Sequence, residues 1–424
     1  MQRIFSRAGR PRLALLTMVW LLLPGKVLAD TSLSLRQALQ NTLQHHPTLQ
    51  TYPYEVRALE AERLQADLRP NSTLSAEIEN VLGTGDSRGL TSAQLTLSFG
   101  QLIELGDKRQ QRLTLAQQRL REAAVGYEAD RLQVLVDTAA KFYQVLKWQQ
   151  LLDWNQQRLV QSRELLETIR KRADAGAVSA ADVSRMAYQL ARMQLAHTRL
   201  QGEFDAARFQ LGQMWLSPAD FSQVEGDTTQ LPTLPDETTW QQAVNRAPDF
   251  LLLEQQVRSQ QAQLALEQAR GVADMTVSAG LRHNAGSDDS ALVLGFSMPL
   301  HLQDPNRGNI AAARARMDGL TQQQALLRQS LRSQVAALYA QMQTTARLTE
   351  QLQQTLLPGA EQLLTDSRQS YQNGQISVLQ LLDAQQALFE ARRQLLETRI
   401  SQLQLLLAMQ GLTGQSLLGS ADNE

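Results

Sequence analysis

Short stretches of this chain alternate apolar and polar residues, which is the pattern of a half-buried β-strand. Leu74, Ala76 and Ile78 share one face of such a stretch, and polar residues separate them. The same two-residue period recurs in three further segments, which are residues 93–99, 277–281 and 292–300. The sequence therefore predicts two β-hairpins, over residues 72–103 and 275–302.

Much longer segments follow the period of an α-helix. Residues 108–175 contain no proline and a single glycine, Gly126, and at 1.5 Å per residue they form a rod of about 100 Å. Further along, apolar residues recur every three or four positions, which is typical of a coiled-coil seam. The predicted seam consists of Leu331, Val335, Leu338, Met342, Thr345, Leu348, Leu352 and Leu356. One compact domain cannot contain such a rod, so a thin-walled helical tube is predicted.

The sequence is internally duplicated, with an offset of roughly 200 residues between matching segments. Each half is predicted to contain a helix, a hairpin and two long helices joined by a glycine turn, near residue 176 in one and 374 in the other. The predicted division is a first repeat over 30–223, a linker over 224–237, a second repeat over 238–413 and a tail over 414–424. The segments that match in order are 46–48 with 247–249, 72–76 with 275–279, 97–99 with 296–298, 107–109 with 305–307, and 175–179 with 373–377.

The first 29 residues have the pattern of an export signal. Four arginines precede an apolar run over 13–23, and Ala29 offers a small residue at a cleavage site. The run has 11 residues, too few to span a bilayer, so a membrane anchor is the less favoured alternative. We expect the mature chain to start near Asp30.

Charge and composition exclude several classes of function. The chain has 41 basic and 42 acidic residues, and five of the basic ones lie in the first 29, so the remainder carries a charge of about −6. An acidic exported chain without basic clusters is not a nucleic-acid binder. The chain has no cysteine, which excludes disulfides and thiolate metal sites. We also expect no lipid attached through cysteine.

No sequence motif supports catalysis or metal binding. The chain has no G-x-S-x-G, P-loop, H-E-x-x-H or dinucleotide fingerprint. Metal sites need several converging ligands, and the histidines are scattered apart from one adjacent pair. We therefore expect a protein that is not an enzyme, with no catalytic, cofactor-binding or metal-binding residue. The histidines are His45, His46, His197, His283 and His301.

Four strands per chain constrain the assembly. Strands of about ten residues with one apolar face suit the wall of a membrane barrel, although a soluble half-buried hairpin has the same pattern. In lipid every backbone N–H and C=O must be paired, and four strands cannot close on themselves. Twelve strands leave an open lumen whereas eight do not. The predicted fold is mainly α with a small membrane β part, and three copies close one twelve-stranded barrel above a twelve-helix tube.

The chain resembles the TolC-like outer-membrane efflux channels over its whole mature length. The resemblance lies in the duplicated plan, in the glycine turns at Gly176 and Gly374, and in the motifs at 296–300 and 304–310. Those motifs are similar to the outer-membrane component of the cobalt-zinc-cadmium exporters. The chain departs from relatives that carry an acyl anchor on a cysteine after the signal, since Asp30 stands there.

The resemblance implies a homotrimeric tunnel from the periplasm through the lipid of the outer membrane, working with a periplasmic adaptor and an inner-membrane RND pump. The implied function is passive export of heavy-metal cations. Export of drugs, dyes or polypeptides through the same fold is the first alternative. A soluble periplasmic coiled-coil scaffold is the alternative from another class.

The two glycine turns are the first candidate site. A glycine directly after a long helix predicts a helix end in the left-handed conformation. The resemblance further implies that these turns are the periplasmic tips that contact the adaptor. The six expected contact positions are Gly176, Ala177, Val178, Gly374, Gln375 and Ile376.

A second set of residues just past the turns is a candidate gate. Asp182 and Gln380 each follow a serine by three positions, which predicts a capping box at the start of the returning helix. The resemblance implies that acidic side chains here narrow the closed entrance, with Asp383 as a ring residue and uncharged Gln380 breaking a second ring. Tyr371 is expected to donate a hydrogen bond toward Asp182 and hold the entrance closed.

Overall fold

Long helices and one four-stranded sheet form most of the chain in a computed structural model that describes residues 32–229, 236–300 and 304–414. The predicted signal over 1–29 lies outside the described residues, as do positions 415–424 of the predicted tail, part of the predicted linker and His301. The helices are α1 (Leu35–His45), α2 (Pro47–Asp67), α3 (Lys108–Asp174), α4 (Ala180–Gly212), α5 (Glu237–Ala243), α6 (Pro248–Arg270), α7 (Arg307–Gln351), α8 (Leu357–Gln372) and α9 (Val378–Thr413). The strands are β1 (Ser32–Ser34), β2 (Thr73–Glu79), β3 (Gln94–Ile103), β4 (Gln223–Glu225), β5 (Met275–Asn284) and β6 (Asp289–Ser297).

Helix α3 is the longest element, and its 67 residues span about 100 Å. Its first half packs against α2 and α6, where Tyr52 stacks on Tyr127 with ring centroids 4.1 Å apart. Its second half packs against α4 and α9, where buried Asn155 donates to the carbonyl oxygen of Met193. The predicted rod is confirmed, and it links the sheet at one end to a glycine turn at the other.

The duplication is visible in how the two repeats are joined. The sheet order is β2-β3-β5-β6, and antiparallel pairing of β3 with β5 connects the two hairpins. Helices α2, α3, α6 and α7 pack as successive neighbours in the same order. Sheet and helices therefore form one continuous wall four elements wide, with β2 and α2 at one edge and β6 and α7 at the other.

One face of the sheet is apolar and exposed. Leu97 pairs with both Ala76 and Leu281, so the apolar positions of neighbouring strands meet on the same face. The predicted alternation is confirmed, but no part of the described chain covers this face. The exposed fractions are 80% for Leu74, 56% for Phe99, 65% for Leu281, 75% for Leu294 and 66% for Phe296. Among the described helices, none combines the length and the apolar character needed to cross a membrane.

The predicted linker over 224–237 begins as a strand. Residues Gln223–Glu225 form β4, which pairs in parallel with β1 near the start of the described chain. Val224 is 3% exposed and packs in a cluster with Leu33 and Phe142. The prediction of an extended linker rested on Gly226 and two prolines further along, and it missed a three-residue strand whose partner lies about 190 residues away.

The predicted coiled-coil seam is correct up to Thr345 and wrong at Leu348 and Leu356. Met342 is fully buried, but Leu348 and Leu356 are 47% and 46% exposed, and Thr349 takes the inward position at 7% exposure. In a seam whose spacing alternates between four and three residues, the position after 345 is 349. The prediction placed Leu348 there because its side chain is apolar, which made two spacings of three in succession. A π-helical turn over Leu352–Leu356 then shifts the inward face again, directly before Pro358, which has no N–H to donate.

In the two repeats, different residues form and stabilise the junction between the strand and the long helix that follows it. In the first, Asp107 adopts a left-handed φ of 59°, and Lys108 bonds Asp274 at 2.7 Å. In the second, Asn306 adopts a left-handed φ of 63°. Its amide donates to the main-chain oxygen of Glu267 at 2.8 Å and to its carboxylate at 2.9 Å.

Asn306 and Asp107 occupy equivalent positions in the two repeats, so the effects of replacing them on stability can be compared. Replacing Asn306 by Ala strains a left-handed residue and removes three side-chain hydrogen bonds, two that it donates to Glu267 and one that it accepts from Asn309. The Glu267 carboxylate that accepts one of them is 10% exposed. Asp107→Ala is the matched control, because the exposed Asp107 side chain makes no capping hydrogen bond. We expect Asn306→Ala to lower the free energy of unfolding by about 2 kcal/mol more than Asp107→Ala. Unfolding of the detergent-extracted variants by circular dichroism measures both, and equal losses would contradict the role given to Asn306.

Candidate functional site

The two long helical hairpins end in the same turn. Gly176 and Gly374 have left-handed φ angles of 75° and 74°, which confirms the predicted helix ends. In the first turn the N–H of Ala177 donates to the oxygen of Arg172 and that of Gly176 to Ala173. In the second the N–H of Gln375 donates to Ser370 and that of Gly374 to Tyr371. Both are Schellman motifs, a common helix ending that satisfies the last free carbonyls.

The helices that return from the turns start with serine caps that differ in detail. At the second turn Ser377 and Gln380 form the complete predicted capping box, in which Gln380 accepts from the Ser377 N–H at 2.9 Å. At the first turn Ser179 accepts from the Asp182 N–H, but the Asp182 carboxylate accepts from the Ser179 hydroxyl at 2.7 Å. The predicted reciprocal bond to the Ser179 backbone is therefore absent from this described turn, because the shorter Asp182 side chain turns to the hydroxyl.

Four of the six predicted contact positions are exposed, and two are not fully so. Gly176, Ala177, Gly374 and Gln375 are exposed. Val178 and Ile376 are half-buried, and Val178 packs against an apolar cluster between the two hairpins. The buried residues of this tip cluster are Leu166, Ile169, Met186, Val378 and Leu382.

The tip cluster holds the two turns at the same height along the axes of the long helices. Ile169 and Met186 flank the first turn, whereas Val378 and Leu382 follow the second, and all four are buried together. Burial of such apolar side chains contributes about 1.5 to 3 kcal/mol each. The two turns therefore lie side by side at the end of α3 that is opposite to the sheet.

Tyr371 lies at the edge of the tip cluster. Its hydroxyl is buried and has no hydrogen-bond partner among the described residues. The guanidinium of Arg172 lies 5.2 Å from the centre of its ring. The predicted hydrogen bond from Tyr371 to Asp182 is therefore not formed within one chain.

Asp383 is exposed and faces a cavity of about 670 Å³ between α3, α4 and α9. Arg158 also lines this cavity, with its guanidinium 4.2 Å from the ring centre of Phe389 and donating to Gln386 at 2.8 Å. Burial lowers the pKa of Arg158 to about 10, so the side chain remains charged at neutral pH. Arg192 and Arg199 line the same cavity, as do Glu203 and Glu397, so the candidate gate residue faces side chains of both charges.

Arg158 and Arg172 were missed by the sequence analysis. Each contacts a residue about 200 or more positions away on the second repeat, Arg158 at Gln386 and Arg172 at Tyr371. The duplication itself was the available signal, because it places both glycine turns at one end of the molecule. No group of three or more His, Asp or Glu suited to hold a metal ion occurs in the described part of the chain.

These features define a class of protein: a duplicated wall of long helices with a small sheet at one end and two glycine turns at the other. The model of the family described as outer membrane efflux protein matches residues 38–215 and 239–415, which is one match to each repeat. The chain belongs to the outer membrane efflux protein family.

Characterised relatives and a solved structure agree with this membership. The chain is 26% identical to the cobalt-zinc-cadmium resistance protein CzcC of Cupriavidus metallidurans, over 83% of this chain and 82% of that protein. It is 29% identical to the nickel and cobalt resistance protein CnrC of the same organism, over 79% and 81%. Its fold matches the crystal structure of CusC, a protein described as forming a transmembrane channel, with a TM-score of 0.73, 15% identity and coverage of 90% and 92%. The mainly helical channel fold predicted from the sequence is thereby confirmed.

The geometry of the turns gives a test of their rigidity. A Cβ atom at Gly176 or Gly374 meets nothing within 4 Å, so Ala at either position adds only the strain of a left-handed backbone, about 1 to 2 kcal/mol. We expect Gly176→Ala and Gly374→Ala to speed amide hydrogen exchange in their own turns. Gly319→Ala is the control, because this helical glycine also has open space around it. Unchanged exchange at both turns would show that the left-handed conformation does not determine their stability.

Proposed function

We propose that this chain is the outer-membrane channel of a tripartite efflux system of the RND type and that it is a passive conduit for heavy-metal cations. Family membership and the metal-resistance names of its relatives support the cargo. The observation that carries the proposal is the separation of two surfaces. An exposed apolar sheet face and a pair of exposed glycine turns lie at opposite ends of a helix about 100 Å long.

A homotrimer provides a pairing partner for each free edge of the sheet. Strands β2 and β6 are its edges in the described chain, and its apolar face is uncovered. In the lipid of the outer membrane, an unpaired edge leaves backbone groups without partners. Three copies supply twelve strands, enough for an open lumen, and each β2 edge then meets a β6 edge of the next copy. The helices continue this ring into the periplasm.

The glycine turns are the proposed contacts for a periplasmic adaptor, which links the channel to the inner-membrane pump. Gly176 and Ala177 in one turn, and Gly374 and Gln375 in the other, are exposed at the end far from the sheet. Val178 and Ile376, being half-buried, support the turns and contribute less surface. The energy for transport comes from the pump, so the channel itself needs no catalytic residue.

The entrance of the channel is the proposed gate. Asp182 and Gln380 occupy equivalent positions, six residues past their glycines, and Asp383 follows one turn further on. In a trimer these side chains form rings at the narrow end of the tube. The Tyr371 hydroxyl has no partner among the described residues, and buried hydroxyls in proteins are usually hydrogen-bonded. In the closed entrance, Tyr371 is proposed to turn toward Asp182 of the neighbouring helix pair and to donate a hydrogen bond to it.

The cargo is tested with a deletion strain and complementation. We expect the strain to grow less than its parent on cobalt, zinc, cadmium, copper or silver salts, and as well as its parent on dyes and antibiotics. The wild-type chain should restore growth, and a chain lacking the two turns is the control for channel activity. Sensitivity to dyes and antibiotics alone would contradict the metal cargo and leave a drug-efflux channel of the same fold.

The gate is tested by removing one hydroxyl. Tyr371→Phe preserves the ring and its packing but removes the proposed hydrogen bond, so we expect a higher resting conductance in planar bilayers. Tyr339→Phe is the control, because Tyr339 packs in a different apolar cluster on α7, far from the turns. Single-channel conductance equal to wild type for Tyr371→Phe would exclude this residue from the gate.

A further inference from the structure

Helix α4 has two apolar faces, and only one is used within the chain. Its inner face follows a regular alternation of four and three residues and packs toward α3 and α9. The inner positions are Met186, Leu190, Met193, His197, Leu200, Phe204, Ala207 and Leu211. The opposite face, two residues past each of Met186, Met193, Leu200 and Ala207, is normally polar in a coiled coil.

In α4 that outer face carries a ridge at seven-residue spacing: Tyr188, Leu195, Gly202 and Phe209. Tyr188 is 64% exposed, Leu195 73% and Phe209 58%, and a Cβ atom on Gly202 would meet nothing within 4 Å. Exposed apolar side chains in such a row mark a surface that another molecule covers. We call these four residues the α4 ridge.

A groove lies beside α7, the edge helix on the other side of the helical wall. It lies between α7 and α9, where two adjoining depressions share Thr345 and Ser401. Its upper part is lined by small and polar residues, including Ala340, Gln341 and Thr344. Below it, Leu348, Leu356 and Leu363 are 47%, 46% and 49% exposed along α7 and α8.

We propose that the α4 ridge of one copy packs into this groove of the next copy, and that this contact sets the register of neighbouring copies in the periplasmic half. The inference rests on the proposed trimer and names the residues that join it. Within one chain the packing order of these helices is α4-α3-α9 followed by α7 and α8. Helices α4 and α7 are therefore the edge helices that closure into a ring brings together, and the groove lies beside α7.

The heights of the two surfaces agree. Copies related by rotation about the tube axis carry equivalent residues at equal heights, and the tip cluster holds both glycine turns of a chain at one height. The α4 ridge residues lie 12, 19, 26 and 33 positions after Gly176. Leu363, Leu356, Leu348 and Gln341 lie 11, 18, 26 and 33 positions before Gly374. The two rows thus match over a length of about 30 Å at 1.5 Å per residue.

At one level the sizes of the facing residues are complementary. Gly202, with open space around it, comes opposite Leu348, a large residue of the groove. Phe209 comes opposite Gln341, next to the small residue Ala340. Leu195 faces Leu356, and the glycine opposite a leucine permits close helix packing at the level between these two pairs.

Disulfide trapping tests the register, and the native chain contains no cysteine to interfere. Leu195→Cys is combined in turn with Leu348→Cys, Leu356→Cys and Leu363→Cys in the full chain, oxidised in membranes and run on a non-reducing gel. A disulfide needs Cα atoms within about 7 Å. We therefore expect species of two and three chains mainly for Leu195→Cys with Leu356→Cys, and at least fivefold less for the other two pairs.

Each single-cysteine variant is the control for contacts between identical positions and for folding, with native mass spectrometry of the detergent-extracted protein reporting the number of chains. A trimer that cross-links at none of the three pairs, or best at Leu348 or Leu363, would overturn the inference and leave the proposed function intact. A monomeric mass for the wild-type chain would overturn both. A strong Leu195→Cys signal with a different protein in the same membranes, without cross-linked copies, would assign the α4 ridge to that partner instead.

Discussion

The two open edges of the four-stranded sheet are the constraint on which the rest of the structure depends. In the described chain β2 and β6 each have a neighbour on one side only, and the apolar face between them is bare. A row of free backbone groups can be satisfied fully only by another strand. Because α2, α3, α6 and α7 repeat the order of the strands, a ring that closes the sheet also closes the helical wall.

The duplication makes this continuity possible, and few specific contacts are needed to join the two repeats. Antiparallel pairing of β3 with β5 and packing of α3 on α6 join the two repeats at the sheet and along the first half of α3, and packing of α3 on α9 joins them along its second half. At each junction a left-handed residue turns the chain from strand to helix, and a contact from the other repeat fixes it: Lys108 to Asp274, and Asn306 to Glu267. The same turn is thus stabilised by an ion pair in one repeat and by an amide in the other.

Local signals predicted the long helices, the alternating strands and the glycine turns, because each depends on residues close in sequence. The same signals failed where a distant partner decides. Thr349 is inward because regular packing continues through it, although Leu348 is the more apolar residue. Strand β4 exists because β1 lies beside it, and Arg158 is held by Gln386 on the second repeat. The sequence predicted which residues belong to the candidate gate. Only the structure shows that the Tyr371 hydroxyl is buried without a hydrogen-bond partner among the described residues.

The exposed surfaces at the edges of the molecule and at its end differ in their chemistry. The sheet face exposes leucine and phenylalanine side chains, which suit contact with lipid. The α4 ridge exposes tyrosine, leucine and phenylalanine side chains, as obligate interfaces do before assembly. The glycine turns expose Gly176, Ala177 and Gln375 instead, which are small or polar. Small and polar surface suits a contact that forms and releases. The proposed tube, whose copies stay together while its tips bind and release an adaptor, requires this difference between its edges and its end.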